Sequence, residues 1–199
     1  MANFWDERFS KREYIYGVEP NSFLKEQLKN LSPGRILFPA EGEGRNAAFA
    51  ASHNWEVFAF DSSEAAFIKA SKLFEEKKVT VNYSLNSLED FTIENISFDC
   101  IALIFVHPLA EFRKSIHQNL VRFLKPNGIL ILEGFAKSQI KYSSGGPKSE
   151  DLLFSKEIIK NDFENLEILK LEEKEVFLSE GNYHSGTASV IRFVGRKTE

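Results

Sequence analysis

Cysteine is almost absent from this chain of 199 residues, in which Cys100 stands alone. A single cysteine excludes an intrachain disulfide and a cysteine-rich zinc cluster. The four histidines lie at positions 53, 107, 117 and 184 and form no HxxxH or HExxH pair, so we predict no metal site. Because a chain without disulfides suits a reducing compartment, we expect a cytoplasmic protein.

A basic surplus and a long apolar run are also missing. Lysine and arginine total 25 against 29 acidic residues, for a net charge of -4, whereas nucleic-acid binders usually carry an excess of basic residues. The longest apolar run, residues 100–106, is far shorter than the roughly 20 residues that span a bilayer. The first residues include no apolar segment of the signal-peptide kind. We therefore expect neither a nucleic-acid nor a membrane partner; the oligomeric state stays open, with a monomer favoured.

The rest of the composition is typical of a globular protein, with 43% hydrophobic and 27% charged residues. The length fits one domain, residues 1–199. Strands are predicted at 35–38, 55–60, 79–85, 98–106 and 129–135, and helices at 45–52, 63–77 and 109–124. Strands that alternate with helices predict an α/β fold with a parallel sheet and right-handed crossovers.

Two flanking regions surround this alternating part, which we interpret as a cofactor-binding core over 35–135. Residues 1–31 are predicted to form a helical arm or lid that lies over the site. Residues 136–199 are predicted to contain a helix and a β-hairpin. Within that last region, the patterns indicate a helix at 151–163 and long strands at 166–178 and 188–195, joined by a loop at 179–186.

The segment ILFPAEGEGRNAAFAA, residues 36–51, combines a strand, a glycine turn and the start of a helix. Gly42 and Gly44 let the backbone approach a ligand closely. With Ala47 they match the glycine fingerprint of dinucleotide-binding turns, and Asp61 follows Gly42 by 19 positions, at the end of the next strand. A carboxylate there suits ribose hydroxyls, so the pattern predicts a ligand that contains a nucleoside.

The charge of the turn discriminates between two such ligands. Glu41 and Glu43 would repel a pyrophosphate, at a cost on the order of 1 kcal/mol each. S-adenosylmethionine has no phosphate and carries a net positive charge, so an acidic turn favours it over NAD. An NAD(P)-dependent oxidoreductase nevertheless remains an alternative, because the glycine fingerprint taken literally is that of a dinucleotide site.

Several segments resemble one known family. They are WDERF (5–9), YxYGxxPNxFL (14–24), AEGEGRNA (40–47), SLEDF (87–91), FDCIALIFVH (98–107), LKPNGILILEGF (124–135), GGP (145–147) and EGNYHSGTASV (180–190). Together they resemble a class I S-adenosylmethionine-dependent methyltransferase of the small tellurite-resistance/thiopurine-methyltransferase-like kind. The resemblance covers nearly the whole chain and implies a Rossmann-like sheet of seven strands in the order 3-2-1-4-5-7-6, mostly parallel with strand 7 antiparallel, flanked by helices. It also implies methyl transfer to a small-molecule acceptor such as a thiol or a chalcogen oxyanion.

The resemblance further implies which residues contact S-adenosylmethionine. The glycine turn would hold the methionine part, Asp61 and Ser62 the ribose, the residues after the third strand the adenine, and the end of the fourth strand the region near the methyl group. The expected cofactor contacts are Ala40, Glu41, Gly42, Glu43, Gly44, Asn46, Asp61, Ser62, Asn86, Ser87, Leu88, Phe105 and Val106.

Candidate catalytic and substrate residues come from the strand ends, the arm and the hairpin. His107 follows the fourth strand, where open α/β sheets bind ligands, and His184 lies in the predicted hairpin loop, so both are candidate catalytic residues. His53 and His117 are predicted to lie on the surface. The candidate lid and substrate residues are Trp5, Arg8, Tyr14, Tyr16, Glu133 and Tyr183.

The chain departs from the family pattern at three positions. Phe38 stands where many relatives have an acidic residue, Ala40 replaces the first glycine of the turn, and Ser87 replaces an acidic residue at the adenine strand. Glu41 is a candidate for restoring the charge lost at Phe38. These departures leave open a second alternative, a non-catalytic cofactor-binding module.

Overall fold

Strands and helices alternate to build a seven-stranded sheet in the computed structural model, which describes residues 2–198. The strands are β1 (Arg35–Pro39), β2 (Glu56–Asp61), β3 (Asn82–Leu85), β4 (Phe98–Ile104), β5 (Leu124–Phe135), β6 (Leu166–Glu180) and β7 (His184–Lys197). The helices are α1 (Ala2–Phe9), α2 (Ser22–Leu28), α3 (Arg45–Ala51), α4 (Glu64–Lys77), α5 (Ala110–Arg122) and α6 (Lys156–Asp162), with short 3-10 helices at Lys137–Lys141 and Glu150–Leu152.

The strand order is β3-β2-β1-β4-β5-β7-β6. The first five strands pair in parallel, and β7 runs antiparallel to both β5 and β6. This confirms the predicted Rossmann-like fold, including the antiparallel seventh strand.

The central strands are buried on both faces of the sheet, and their side chains alternate between two cores. In β4, Ile101 and Leu103 belong to the core under α5 and α6. Cys100 and Ala102 point the other way, into the core shared with α3 and α4. Burial of each large apolar side chain contributes roughly 1.5–3 kcal/mol, so this double-sided packing holds the strand ends in place.

Several predicted boundaries differ from the structure, and three of these differences lie at β5, α6 and the hairpin. β5 begins at Leu124, which pairs with Phe98, and its register shifts before Ile129 pairs with Cys100. The predicted turn at residues 125–128 therefore lies within the strand as an irregularity. The helix expected at 151–163 begins at Lys156, after a 3-10 segment.

The third difference concerns the hairpin, whose connection is only residues 181–183 rather than 179–186. Gly181 permits this tight reversal because it adopts a φ of 69°, which side-chain-bearing residues rarely adopt. Glu180 and His184 consequently face each other as a cross-strand pair.

His117 is the clearest error of the sequence analysis, because its side chain is fully buried instead of exposed. It lies on the inner face of α5, its ring stacks on Phe163, and its Nδ1 lies 3.0 Å from Oδ2 of Asp162. Arg113 donates to the same oxygen, 2.8 Å away. These two contacts give partners to His117 Nδ1 and Asp162 Oδ2, which burial would otherwise penalise. His53 is exposed, as predicted.

Two glycines with the same backbone conformation allow a test of the contact between hairpin and arm. A Cβ on Gly181 would lie 2.2 Å from the Ile15 carbonyl oxygen, whereas a Cβ on Gly17, with a φ of 71°, meets nothing nearer than 3.8 Å. Gly17→Ala should cost about 1 kcal/mol of unfolding free energy through backbone strain. Gly181→Ala should cost about 1–3 kcal/mol more, because backbone atoms must separate. Urea unfolding measures both, and equal losses would show that the contact carries no energy.

Candidate cofactor and acceptor site

The functional residues gather at the carboxyl ends of the parallel strands. β1 and β4 are adjacent at the point where the strand order reverses, which is where open α/β sheets bind ligands. The glycine turn follows β1, Asp61 ends β2, and Phe105 follows β4. The fold thus assembles one site from segments that are distant in sequence.

Asp61 is attached directly to the glycine turn. Its Oδ2 accepts a hydrogen bond from the Gly42 N–H at 2.9 Å, and its Oδ1 accepts one from the Ser63 N–H at 2.9 Å. Burial raises the pKa of Asp61 despite these bonds, since only 6% of the residue is exposed. The spacing of 19 residues therefore corresponds to a real contact between the carboxylate and the turn.

Glu41 caps the helix that follows the turn. Its Oε1 accepts hydrogen bonds from the Asn46 and Ala47 N–H groups, both at 2.8 Å. Those N–H groups belong to the helix end that binds the pyrophosphate in dinucleotide sites, so a carboxyl group of the chain already occupies that position. This geometry argues against NAD more directly than the charge of the turn does.

Burial raises the pKa of Glu41 to about 7, even though the bonds from Ala47 and Asn46 lower it. A buried carboxyl of this kind is stabilised in its ionised form by a nearby cation. S-adenosylmethionine carries an ammonium and a sulfonium and lacks a phosphate. The residues of the turn therefore fit that cofactor.

Glu43 has a different role from the one predicted. Its Oε1 forms an ion pair with Lys69 at 2.7 Å, and its Oε2 accepts the Ile15 N–H at 2.7 Å. The side chain is 4% exposed and points towards the arm. Because Lys69 neutralises it, Glu43 adds no free charge to the turn, and the predicted repulsion of a pyrophosphate by this residue was wrong.

Ala40 keeps the backbone shape that a glycine would provide. Its φ is 49°, in the left-handed region that is unfavourable for alanine. Phe38, the other departure in β1, is fully buried in the core under α3 and α4. The turn therefore retains its conformation in spite of both substitutions.

On the adenine side, the three predicted residues make contacts within the protein. The Asn86 N–H donates to the Asp61 carbonyl at 3.0 Å, and the Ser87 hydroxyl donates to Asp90 at 2.8 Å. Leu88 packs against the core under α5. Ser62, on the ribose side, is exposed.

Phe105 and His184 meet on the other side of the site. Phe105 has a φ of 56°, and its ring centroid lies 4.4 Å from that of His184. His184 also contacts Tyr16 of the arm at 4.5 Å and Phe135 at 5.1 Å. Val106 is buried. The imidazole is thus enclosed by aromatic rings from three segments of the chain.

His107 is held by the backbone on both sides. Its Nδ1 lies 2.7 Å from the Leu152 carbonyl oxygen, and its Nε2 accepts the Phe135 N–H at 3.1 Å. Because both ring nitrogens are engaged, the geometry offers no free nitrogen for the predicted catalytic role. Burial lowers the pKa of His107 to about 4, which keeps the ring neutral.

Glu133 is also a structural residue rather than a pocket residue. It is 1% exposed, its Oε1 accepts from Asn21 Nδ2 at 2.6 Å, and its Oε2 accepts from Arg192. The alternating pattern of β5 does not reveal this pairing, because the partners come from the arm and from β7.

The predicted lid residues separate into two groups. The Arg8 guanidinium lies over Tyr183 at 4.7 Å and near Trp5 at 5.2 Å, and it donates to the Tyr16 hydroxyl at 3.2 Å. Tyr14 lies apart from them, with its hydroxyl bonded to the Lys69 carbonyl on α4 at 3.2 Å. Four of the six candidate lid and substrate residues therefore meet, whereas Glu133 lies elsewhere and Tyr14 fastens the arm.

Sequence analysis missed three residues that hold the site together. Tyr83 donates to the Gly42 carbonyl at 2.7 Å, Arg45 bonds Glu180 at 2.7 Å, and Asn21 bonds Glu180 at 3.0 Å. Arg45 and Asn21 lie within the resemblance segments, but their partners are more than 100 positions away. No sequence signal identifies those pairs without the sheet register.

Two kinds of structural feature are missing from the part of the chain described. Residues 2–198 contain no group of three or more His, Cys, Asp or Glu side chains placed to hold a metal ion. No helix in this same range is long and apolar enough to cross a membrane.

Part of the chain is similar to known methyltransferases. A family model described as a methyltransferase domain matches residues 36–128. The ubiquinone biosynthesis O-methyltransferase of Rickettsia akari (strain Hartford) is 26% identical over 117 residues, which are 59% of this chain and 46% of that protein. The chain thus spans about half the length of this curated relative.

Two solved structures share the fold. N-methyltransferase NodS from Bradyrhizobium japonicum WM9, in complex with S-adenosyl-L-homocysteine, superposes with a TM-score of 0.74 at 14% identity, covering 100% of this chain and 98% of NodS. TehB from Haemophilus influenzae has a TM-score of 0.73 at 15% identity, covering 99% and 67%. Residues 36–128 are thus similar to a methyltransferase domain, and the whole chain shares its fold with these two solved structures.

The strained conformation of Ala40 leads to a stability prediction. Ala40→Gly should leave the unfolding free energy unchanged or raise it by up to about 1 kcal/mol, because relief of strain offsets the added chain entropy. Ala48→Gly, in the middle of α3, is the matched control and should cost about 1 kcal/mol or more. Thermal and urea unfolding compare the two, and equal losses would mean that Ala40 is unstrained.

The neutral state of His107 predicts a pH dependence. The unfolded chain binds a proton at this residue near pH 6.5, and the folded chain does so only near its pKa of about 4. The contribution of His107 to stability is therefore present at pH 7.5 and falls by about 2 kcal/mol by pH 5. In His107→Gln, urea unfolding should show a shallower loss between these pH values. His53→Gln is the control, and an unchanged slope in the His107 variant would contradict the assignment.

Proposed function

We propose that this chain transfers the methyl group of S-adenosylmethionine to a small-molecule acceptor, as in the tellurite-resistance/thiopurine-methyltransferase-like kind that its motifs resemble. The observation that carries the proposal is the closure of the arm against the hairpin at the carboxyl edge of the sheet. Lys11 Nζ bonds the Tyr183 hydroxyl at 2.6 Å, and Gly181 packs directly on the Ile15 backbone.

This closure favours an acceptor that fits beneath the arm. Tyr16, Phe105 and Phe135 surround His184, and Phe105 directly follows the end of β4. An enclosed aromatic site of this kind suits a small nucleophile better than a segment of a macromolecule. A thiol, a chalcogen oxyanion or a similar small acceptor fits this description.

The residues of the chain would act by binding and alignment. The cofactor supplies an electrophilic methyl group when it is bound. Asp61 is placed to hold the ribose hydroxyls, and Glu41 to balance positive charge at the turn. The aromatic rings around His184 exclude water and orient the acceptor, which is the main requirement of an in-line displacement.

The similar proteins support methyl transfer, but they do not identify which atom of the acceptor receives the methyl group. The printed names of the relatives include an O-methyltransferase and an N-methyltransferase, so the shared fold accommodates different acceptor chemistry. We therefore infer the acceptor class from the site residues of this chain and not from the fold.

Calorimetric titration with S-adenosylhomocysteine tests the cofactor site, with NADH as the competing ligand. We expect micromolar binding of the first and no binding of the second. Asp61→Ala should weaken S-adenosylhomocysteine binding at least about tenfold, or about 1.4 kcal/mol, because it removes the ribose acceptor. Asp99→Ala is the matched control: Asp99 also accepts a backbone N–H, from Arg35, but it lies at the opposite edge of the sheet.

Comparable binding of NADH would favour the oxidoreductase alternative. Absence of S-adenosylhomocysteine binding would contradict the proposal. Binding without any methylated product across a panel of thiols, amines, phenols and chalcogen oxyanions, assayed by mass spectrometry, would favour the non-catalytic module.

A further inference from the structure

Glu180 and His184 form a buried pair at the end of the hairpin. They are cross-strand partners on either side of the three-residue turn, and His184 Nδ1 lies 3.5 Å from Glu180 Oε2. Only 7% of the His184 side chain and 11% of the Glu180 side chain are exposed. The resemblance to the methyltransferase family implies no role for Glu180.

Two further groups hold the Glu180 carboxylate in place. Arg45 Nη2 donates to Oε2 at 2.7 Å, and Asn21 Nδ2 donates to Oε1 at 3.0 Å. Burial raises the pKa of Glu180, but its interactions with His184 and Arg45 prevail and lower it to about 2. Glu180 is therefore an anion at any physiological pH.

The surroundings of His184 determine where its proton lies. Nδ1 is buried and has no hydrogen-bond partner of good geometry among the described residues, and the nearby acidic oxygen belongs to Glu180. Burial lowers the pKa of His184, against the opposing effect of Glu180, so the ring is neutral near pH 7. A neutral imidazole beside an anion places its hydrogen on the nitrogen that faces the anion. Nε2 then carries the free lone pair.

We propose that Glu180 is a positioning residue that fixes His184 as the Nδ1–H tautomer, so that His184 Nε2 removes a proton from the methyl acceptor. The acceptor class is then a nucleophile that binds with its proton, such as a thiol, a hydroxyl or an amine, rather than an oxyanion. This inference rests on the proposed methyl transfer.

The proton transfer and the methyl transfer together need no reactant beyond the acceptor and the methyl donor. The proton of the acceptor passes to Nε2, and the acceptor atom forms its bond to the methyl carbon. The bond from sulfur to that carbon breaks, and its electron pair stays on sulfur. His184 afterwards releases the proton to solvent.

Charged and titratable groups from several elements face His184 and bear on its protonation. The arm contributes Arg8 and Tyr16, while α3 and β6 contribute Arg45 and Glu180. His107, after β4, also interacts with His184 electrostatically. Of these, Glu180 is the one anion, so its removal should change the His184 tautomer most strongly.

Nitrogen-15 NMR of the histidine rings tests the positioning role without any turnover. We expect the Nδ1–H form of His184 in the unmodified chain and a mixture of tautomers in Glu180→Gln. Glu167→Gln is the matched control, since Glu167 also lies on β6 and pairs with an arginine, Arg196, but at the other end of the strand. An identical His184 spectrum in the Glu180 and Glu167 variants would overturn the positioning role.

Methylation rates for thiols of graded acidity, with tellurite alongside, test the acceptor class. For an aliphatic thiol that is protonated at pH 7, Glu180→Gln should lower kcat at least tenfold and shift the acidic limb of the pH profile. For an aromatic thiol already ionised at that pH, kcat should change less than twofold. His184→Asn should lower kcat at least 100-fold for the protonated thiol and less than twofold for the ionised thiol. This variant replaces Glu180→Gln in the test if Glu180→Gln fails to fold.

The outcomes separate this inference from the proposed function. If the unmodified chain does not bind S-adenosylhomocysteine, the proposed function is contradicted. The NMR result would still decide whether Glu180 fixes the tautomer of His184. Normal cofactor binding with tellurite as the one accepted acceptor would overturn the inference and leave methyl transfer intact. An equal loss of kcat for protonated and ionised thiols in these variants would also overturn the inference, because only the protonated thiol needs a base.

Discussion

The structure depends on a buried set of hydrogen bonds around Asn21, which is fully inaccessible to solvent. Its N–H donates to Asn46, its side-chain oxygen accepts the Leu24 N–H, and its side-chain amide donates to Glu133 and Glu180. The backbone and side chain of this one residue thus join the arm, the helix after the glycine turn, β5 and the hairpin. Each of these polar groups would be costly to bury alone, so the segments are stable only together.

The two acidic residues of the glycine turn illustrate how similar side chains diverge in a folded chain. Glu41 turns inward and caps α3, where it occupies the N–H groups that would otherwise attract a phosphate. Glu43 is buried against the arm, where Lys69 and the Ile15 N–H hold it. In the proposed function, Glu41 would select the ligand of the turn, and Glu43 holds the arm beside it.

The arm, the hairpin and the end of the glycine turn are linked by hydrogen bonds to Glu180. Glu180 receives Arg45 from the end of the turn and Asn21 from the arm, and it faces His184 across the hairpin. Displacement of the arm would therefore disturb the surroundings of His184, because Tyr16 packs on its ring. The proposed cofactor and acceptor sites share one polar network, which is a physical basis for assembling both at once.

The sequence determined the alternating α/β pattern through its periodicity and, through the resemblance, the strand order. The spacing from the glycine turn to Asp61 is a local signal that the strand ends convert into a contact. The sequence did not determine the roles of His117, Glu133 or Glu43, nor the importance of Asn21 and Glu180. Those roles depend on partners that the sheet register brings together from distant positions. Whether a polar side chain is paired, buried or free depends on its neighbours in space, and only the tertiary structure determines which residues those are.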